Sequence, residues 1–327
     1  MKRRQQLIVN VTRDRGVHEI LEKTISADKT VSAMFDRKYP SNRHELLEII
    51  ASADVLFSFA VPEDVLLKAD KLKWLHFASA GVEKSLSRTL EAKRIKVTCS
   101  RGLHANTMAE YVMMQILAFS KNLRKAFDCQ RMHLWKFEEL LGGKFDLEGK
   151  TIAIIGLGSI GRRVARLAKA FDMRVIGTVN NPRKIRNVDR VYAASRIEEC
   201  TRQADFIVLS AALTERTVHM VGRGQLETMK KNAFLVNIGR GRLVDEIALV
   251  ESLKAGRIGG AALDVFESEP LFPNSPLWDI DSVSVTPHYS GMAENIWEKV
   301  ARLFCENARR YKNGKRLLGI VNMELGY

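Results

Sequence analysis

Cysteine is scarce in this chain: 327 residues hold four, Cys99, Cys129, Cys200 and Cys305, with no CxxC pair and no histidine at metal-ligand spacing beside them. Neither a disulfide framework nor a zinc site is expected, no metal is assigned, and the four read as buried thiols. Long hydrophobic runs are missing as well. The longest, near residues 111–119, falls far short of the roughly 20 residues that a membrane-spanning helix needs. The start, MKRRQQLIVNV, has the charge of a signal peptide, but its apolar run is short and Thr12-Arg13-Asp14-Arg15 ends it. There is no low-complexity linker and no repeat at a solenoid period. The formal charge of +14 comes from cations dispersed among acids without interleaved aromatics. Such a pattern argues against a nucleic-acid partner and suits attraction of an anionic substrate and cofactor. A cytoplasmic protein with no membrane partner is expected.

What is there suits a two-domain enzyme, since a chain of this length exceeds one small core and its 46% hydrophobic content with 28% charged residues is ordinary for globular proteins. The most informative stretch is residues 150–183. An apolar run, 152–155, breaks at Gly156-Leu157-Gly158-Ser159-Ile160-Gly161 and passes into an amphipathic helix, and a second apolar strand follows at 174–178. Strand, tight turn and helix start in that order are the context of a dinucleotide fingerprint. Gly156 permits the turn, Gly158 lets backbone approach a pyrophosphate, and Gly161 lets the helix pack on the strand, while the helix N-terminus offers N–H groups to phosphate. Val164, Leu167, Ala168 and Phe171 are expected to bury one face, with Arg162, Arg163, Arg166 and Lys169 in water.

The second strand runs out at Thr178-Val179-Asn180-Asn181-Pro182-Arg183-Lys184. An NAD site usually carries an acid about 20 residues after the fingerprint for the ribose hydroxyls, and none is present. Arg183 and Lys184 read either as ligands of a 2′-phosphate or as solvated loop cations. NADP is favoured on this ground and NAD stays possible.

Before the fingerprint, apolar strands at 7–11, 31–35, 55–59, 74–78 and 95–98 alternate with helix-like segments; after it come strands at 206–210, 233–238, 261–265 and 283–285. Residues 105–128 read as one long, largely buried helix. The fold class is therefore α/β, with two doubly wound parallel-sheet lobes.

Candidate chemistry lies at three strand ends, where ligands of open α/β sheets bind. Asn237-Ile238-Gly239-Arg240-Gly241 ends one strand; Asp264-Val265-Phe266-Glu267-Ser268-Glu269-Pro270 follows another; Thr286-Pro287-His288-Tyr289-Ser290-Gly291 follows a third. A histidine that moves a hydroxyl proton as hydride moves to or from nicotinamide needs a carboxylate to orient it, and an arginine to hold the substrate carboxylate. On residues alone, His288 could equally be structural and Arg240 a helix cap.

Taken in order, the fingerprint, VNIGRGRLVDE at 236–246, GAALDVFESEP at 260–270 and TPHYSG at 286–291 resemble the D-isomer-specific 2-hydroxyacid dehydrogenase family over nearly the whole chain. The resemblance implies an NAD(P)-dependent oxidoreductase that interconverts a 2-oxo acid and a D-2-hydroxy acid, similar to glyoxylate/hydroxypyruvate reductases. It implies that Arg240 binds and polarises the oxo acid, and that Glu269 pairs with His288, the acid/base. It places Asp264 near the nicotinamide carboxamide, with Ser159, Ile160, Asn180, Thr217, Ile238 and Ser290 also on the cofactor side. Ala80 and Gly81, in the loop His76-Phe77-Ala78-Ser79-Ala80-Gly81-Val82, would receive the substrate carboxylate on backbone N–H groups.

Further implications are a Rossmann cofactor domain, 102–290, inserted into a flavodoxin-like substrate domain built from 1–101 and 291–327, and a homodimer joined through helix 105–128. His104 fits a hinge or helix start. Glu267 matches no family role and is expected in solvent. Trp135 and Tyr289 read either as pocket residues near the substrate's side chain or as core. Ala212 stands where the family usually has proline, which predicts a looser loop at 209–217. The chain ends at Tyr327, so a regulatory domain after it is not expected. One alternative of another class shares the fold: a dinucleotide-sensing, corepressor-like binding protein.

Overall fold

The computed structural model of the protein describes residues 4–82, 85–142 and 145–323. Residues 1–3, 83–84, 143–144 and 324–327, which fall inside the expected domains, lie outside the described residues. The chain divides into two compact units, residues 1–103 with 293–327, and residues 104–292.

The first unit is built on β1 (Gln5–Asn10), β2 (Phe35–Lys38), β3 (Val55–Ser58), β4 (Trp74–Phe77) and β5 (Lys96–Cys99), in the order β2-β1-β3-β4-β5. All neighbours are parallel. Parallel strands covered on both faces read as unbroken apolar runs, and β3 and β4 are buried at every position. The C-terminal helix Ile296–Lys312 belongs to this unit. Its Val300, Ala301, Phe304 and Ala308 are buried with Leu7, Val9, Phe57 and Trp74. Phe304 stacks on Phe57 at 4.5 Å and on Trp74 at 5.2 Å between ring centroids. The tail then runs along β5, where Val321 N–H donates to Val97 O at 3.0 Å and Cys99 N–H to Gly319 O at 2.8 Å.

The second unit carries β6 (Thr151–Ile155), β7 (Arg174–Val179), β8 (Arg190–Ala193), β9 (Phe206–Leu209), β10 (Phe234–Asn237), β11 (Gly260–Leu263) and β12 (Val283–Val285). The order is β12-β11-β10-β9-β6-β7-β8, again all parallel. The protein thus has two parallel-sheet α/β lobes, Rossmann-like and flavodoxin-like. Every strand of the larger sheet points its C-terminal end to one edge, and the sequence motifs sit on that edge.

Several sequence expectations are corrected. Residues 31–35 are not a strand: Lys29–Met34 is helical, because Asp28 caps it by accepting from Val31 N–H at 3.1 Å, and only Phe35 enters β2. The helix expected over 105–128 is two, Ala105–Ser120 and Leu123–Arg131, broken where Asn122 takes a left-handed conformation, φ 52°. Strand β8 had no expectation; only Tyr192 in it is buried, and its other three positions are partly or fully exposed. Phe171 lies beyond the end of helix Ser159–Lys169 and is exposed. Arg163 is not a wet residue, as its Nε is buried without a hydrogen-bond partner. Lys169, half-buried, donates to Asp189 Oδ2 at 2.6 Å. Trp135 is 96% exposed and Tyr289 42%, so neither is core. All four cysteines are buried free thiols, and burial pushes Cys200 and Cys305 up to about 12.

Candidate active site

The fingerprint turn needs its glycines. Gly156 has φ +99°, and a Cβ on it would stand 2.8 Å from the Ala211 backbone; one on Gly161 would stand 2.3 Å from Gly156 O. Thr178 of β7 accepts from Gly156 N–H at 3.3 Å, and Ser210 after β9 donates to Gly156 O at 2.8 Å, so neighbouring strands hold the turn. Gly158 differs, since nothing lies within 4 Å of where its Cβ would be. It precedes a helix, Ser159–Lys169, that has no side-chain cap. An open backbone at an uncapped helix start fits a dinucleotide pyrophosphate. Arg162 is exposed as expected, and its Nε donates to Leu157 O at 3.0 Å.

Val179, the last residue of β7, is half-buried, and past it Asn180, Arg183 and Lys184 are exposed. The 212–217 loop is not loose despite Ala212. Thr217 Oγ1 donates to Ala212 O at 2.9 Å and accepts from Thr214 N–H at 2.7 Å, so this hydroxyl is spent closing the loop. Ile238 is a core residue, 2% exposed.

At the end of β10, the buried side chain of Asn237 builds the turn that carries Arg240: its Nδ2 donates to Arg240 O at 3.0 Å and its Oδ1 accepts from Gly239 N–H at 3.1 Å. Asn237 stands in none of the expected site roles, although an asparagine two residues before glycine is a local signal for such a turn. Arg240 itself is half-buried, with Nη1 donating to Gly239 O at 2.8 Å.

Next to β10 is β11, and after it comes Asp264, fully buried. Its Oδ1 accepts from the Thr286 hydroxyl at 2.6 Å and from Tyr289 N–H at 3.0 Å, and its Oδ2 from Ser290 N–H at 2.9 Å. A carboxylate with three donors is well satisfied in a buried place. Within the turn it holds, His288 takes φ 52°, a conformation costing a residue with a Cβ roughly 1–2 kcal/mol.

His288 Nδ1 meets Glu269 Oε2 at 2.8 Å, and Glu269 Oε1 accepts from Phe266 N–H at 3.1 Å, so the carboxylate is fixed at one oxygen and orients the imidazole with the other. Both side chains remain accessible, 49% and 36% exposed. Glu267 is exposed yet paired, with His219 Nε2 at 2.8 Å. Its N–H donates to Glu246 Oε1. Burial raises the Glu246 carboxyl above its ordinary pKa, and the charges of Glu267 and Glu269 add to this. His104 is a helix-start residue, the N-cap of Ala105–Ser120, with Nδ1 against Gly291 O at 2.8 Å. In the smaller unit, Ala78–Val82 follows β4 directly, and Ser79 Oγ donates to Gly81 O at 2.9 Å. There His76 is buried, within 2.7 Å of Thr98 Oγ1, and burial holds its pKa down at about 3.

Residues 113–290 match the model of the D-isomer specific 2-hydroxyacid dehydrogenase NAD-binding domain, more than half of the chain. The chain belongs to the D-isomer specific 2-hydroxyacid dehydrogenase family. Among curated relatives, the D-3-phosphoglycerate dehydrogenase of Methanocaldococcus jannaschii is 38% identical over 285 residues, 86% of this chain and 54% of that one, so the chain spans about half of that relative's length. The glyoxylate reductase of Thermococcus gammatolerans is 34% identical over 299 residues, covering 89% of this chain and 88% of its own. Among solved structures, the NADPH-dependent glyoxylate/hydroxypyruvate reductase of Sinorhizobium meliloti, in complex with NADP and sulfate, aligns at a TM-score of 0.85. It is 25% identical and covers 99% of this chain and 100% of its own. This family member is thus an oxidoreductase of the 2-oxo acid/D-2-hydroxy acid couple that works with a nicotinamide dinucleotide, and the corepressor-like alternative is not favoured. Among the described residues no helix is long and apolar enough to cross a membrane, and no group of three or more His, Cys, Asp or Glu could hold a metal.

Proposed function

We propose that the chain reduces a small 2-oxo acid with His288 as proton donor, Glu269 as the carboxylate that orients it, and Arg240 as the guanidinium for the substrate's carboxylate. The 2.8 Å contact between His288 and Glu269 carries the reading. With Nδ1 turned to the carboxylate, Nε2 is the nitrogen left to meet a reacting oxygen. The dinucleotide supplies hydride. Gly156, Gly158, Ser159, Ile160 and Gly161 would hold its pyrophosphate, with Asp264, Thr217, Ile238 and Ser290 beside the remainder. For Ala80 and Gly81 we retain the carboxylate-receiving role that the family implies. Positioning and charge stabilisation account for the rate enhancement.

The finer points of the proposal are a substrate of the glyoxylate or hydroxypyruvate size, a substrate domain made of 1–101 and 291–327 around a cofactor domain of 102–290, NADP over NAD, and a homodimer in the cytoplasm. The relatives named glyoxylate reductase support the first, and the absent acid after Val179 with Arg183 and Lys184 following supports NADP. For the dimer, helix Ala105–Ser120 and its neighbours leave an apolar surface of Met114, Leu123 and Phe171, each exposed. The test is a panel of 2-oxo acids of graded length, run with NADPH and NADH at the nicotinamide absorbance band, with the mass in solution measured alongside. Oxidation of NADPH by the two-carbon and three-carbon acids is expected. A protein that binds dinucleotide but oxidises it with no acid of the panel overturns the proposal.

A further inference from the structure

We infer that Tyr111 is a positioning residue for His288, fixing from the helix Ala105–Ser120 the turn that presents the imidazole; the inference rests on the acid/base role proposed for His288. The turn 286–291 is gripped by that helix at three points. Tyr111 Oη lies 2.6 Å from Thr286 Oγ1, its ring stands edge-on to Tyr289 at 5.8 Å and 88°, and His104, the N-cap, meets Gly291 O at 2.8 Å.

The direction of the bonds follows from the donors available. Thr286 gives its single proton to the Asp264 carboxylate, which has none to offer, so Tyr111 must donate to Thr286. A carbonyl only accepts, so His104 Nδ1 carries the proton toward Gly291. Burial, which raises Tyr111 to about 12, keeps that hydroxyl protonated and able to donate across the working pH range.

The contacts fall on both sides of His288, at Thr286 before it and at Tyr289 and Gly291 after it. This matters because His288 has the left-handed backbone that a loosened turn would abandon, and its own side chain is half exposed. A chain Tyr111–Thr286–Asp264 therefore transmits the rigidity of a helix 175 residues away in sequence to the proton donor.

The test compares Tyr111→Phe, Thr286→Val and Thr286→Ser with wild type and with His288→Asn, reading kcat and the KM for NADPH in 2-oxo acid reduction and, alongside, thermal unfolding. Misplacement of a proton donor by a fraction of an ångström to 1 Å costs up to about 100-fold. Tyr111→Phe should lower kcat roughly tenfold and Thr286→Val at least as much, with the KM for NADPH moving far less, because the fingerprint glycines are untouched. Thr286→Ser, which keeps both bonds, should restore wild-type behaviour. If His288→Asn is inactive while Tyr111→Phe and Thr286→Val keep the wild-type kcat, the inference fails. It fails too if their losses only follow thermal stability, or if Thr286→Ser loses as much kcat as Thr286→Val. Activity in His288→Asn would instead overturn the role of His288 itself.

Discussion

The Asp264 carboxylate accepts the backbone N–H of Ser290 at 2.9 Å, so a fully buried charge on β11's end fixes the turn that follows β12. Asp264→Asn keeps the size but turns one acceptor into a donor facing N–H or hydroxyl groups. A buried partner left unsatisfied costs about 1–3 kcal/mol. The variant should lose stability of that order, seen as a lower urea midpoint with unchanged slope, and should lose activity beyond what unfolding explains. Wild-type stability would mean that the three donors find other acceptors.

Acidification should act first on the smaller unit. His76 is buried and held near 3, below its ordinary 6.5. The unfolded chain therefore takes up a proton that the folded one refuses, and stability present above about 6.5 is lost as pH falls toward 3, by at most about 1.4 kcal/mol per unit. Urea unfolding followed through Trp74 fluorescence between pH 7 and 4 should show the fall, and His76→Gln should flatten it. A pH dependence identical in the variant would assign the acid sensitivity to other groups.

Cofactor choice is a separate expectation. With no acid at Val179 or Asn180 to repel a 2′-phosphate, one charge-assisted hydrogen bond from Arg183 or Lys184 is worth roughly 1.5–3 kcal/mol, or about ten- to hundredfold in kcat/KM for NADPH over NADH. Replacing both cations by alanine should erase most of that preference, and Val179→Asp should turn it toward NADH. Equal kcat/KM for the two cofactors in the unmodified protein would show that the two cations are only solvated.

Much of this was legible in the sequence because its signals are local. The fingerprint reads directly from glycine spacing, and Gly156 and Gly161 are required by contacts under 3 Å that a Cβ would make. The strand ends carrying Arg240, Asp264 and His288 follow from apolar runs that parallel pairing buries. What escaped depends on capping and on distance in sequence. Val31 looks like strand material, but the Asp28 cap decides for helix. Asn122 ends a helix by a backbone conformation that periodicity does not report. Tyr111 and Thr286 meet only because α/β folding brings a helix beside the end of β12. Glu267 is exposed as expected, but its partner His219 is one that no motif joins to it.

The central claim is that His288 moves the proton while other residues hold the dinucleotide. Single-turnover and steady-state reduction of glyoxylate by NADPH in His288→Asn, with the NADPH dissociation constant measured on the same preparation, tests it most directly. Loss of a general acid should lower kcat by about 10²–10⁴, with the dissociation constant within about twofold of wild type, because the fingerprint at Gly156, Gly158 and Gly161 is untouched. A kcat close to wild type, or a loss explained wholly by weaker NADPH binding, would contradict the account.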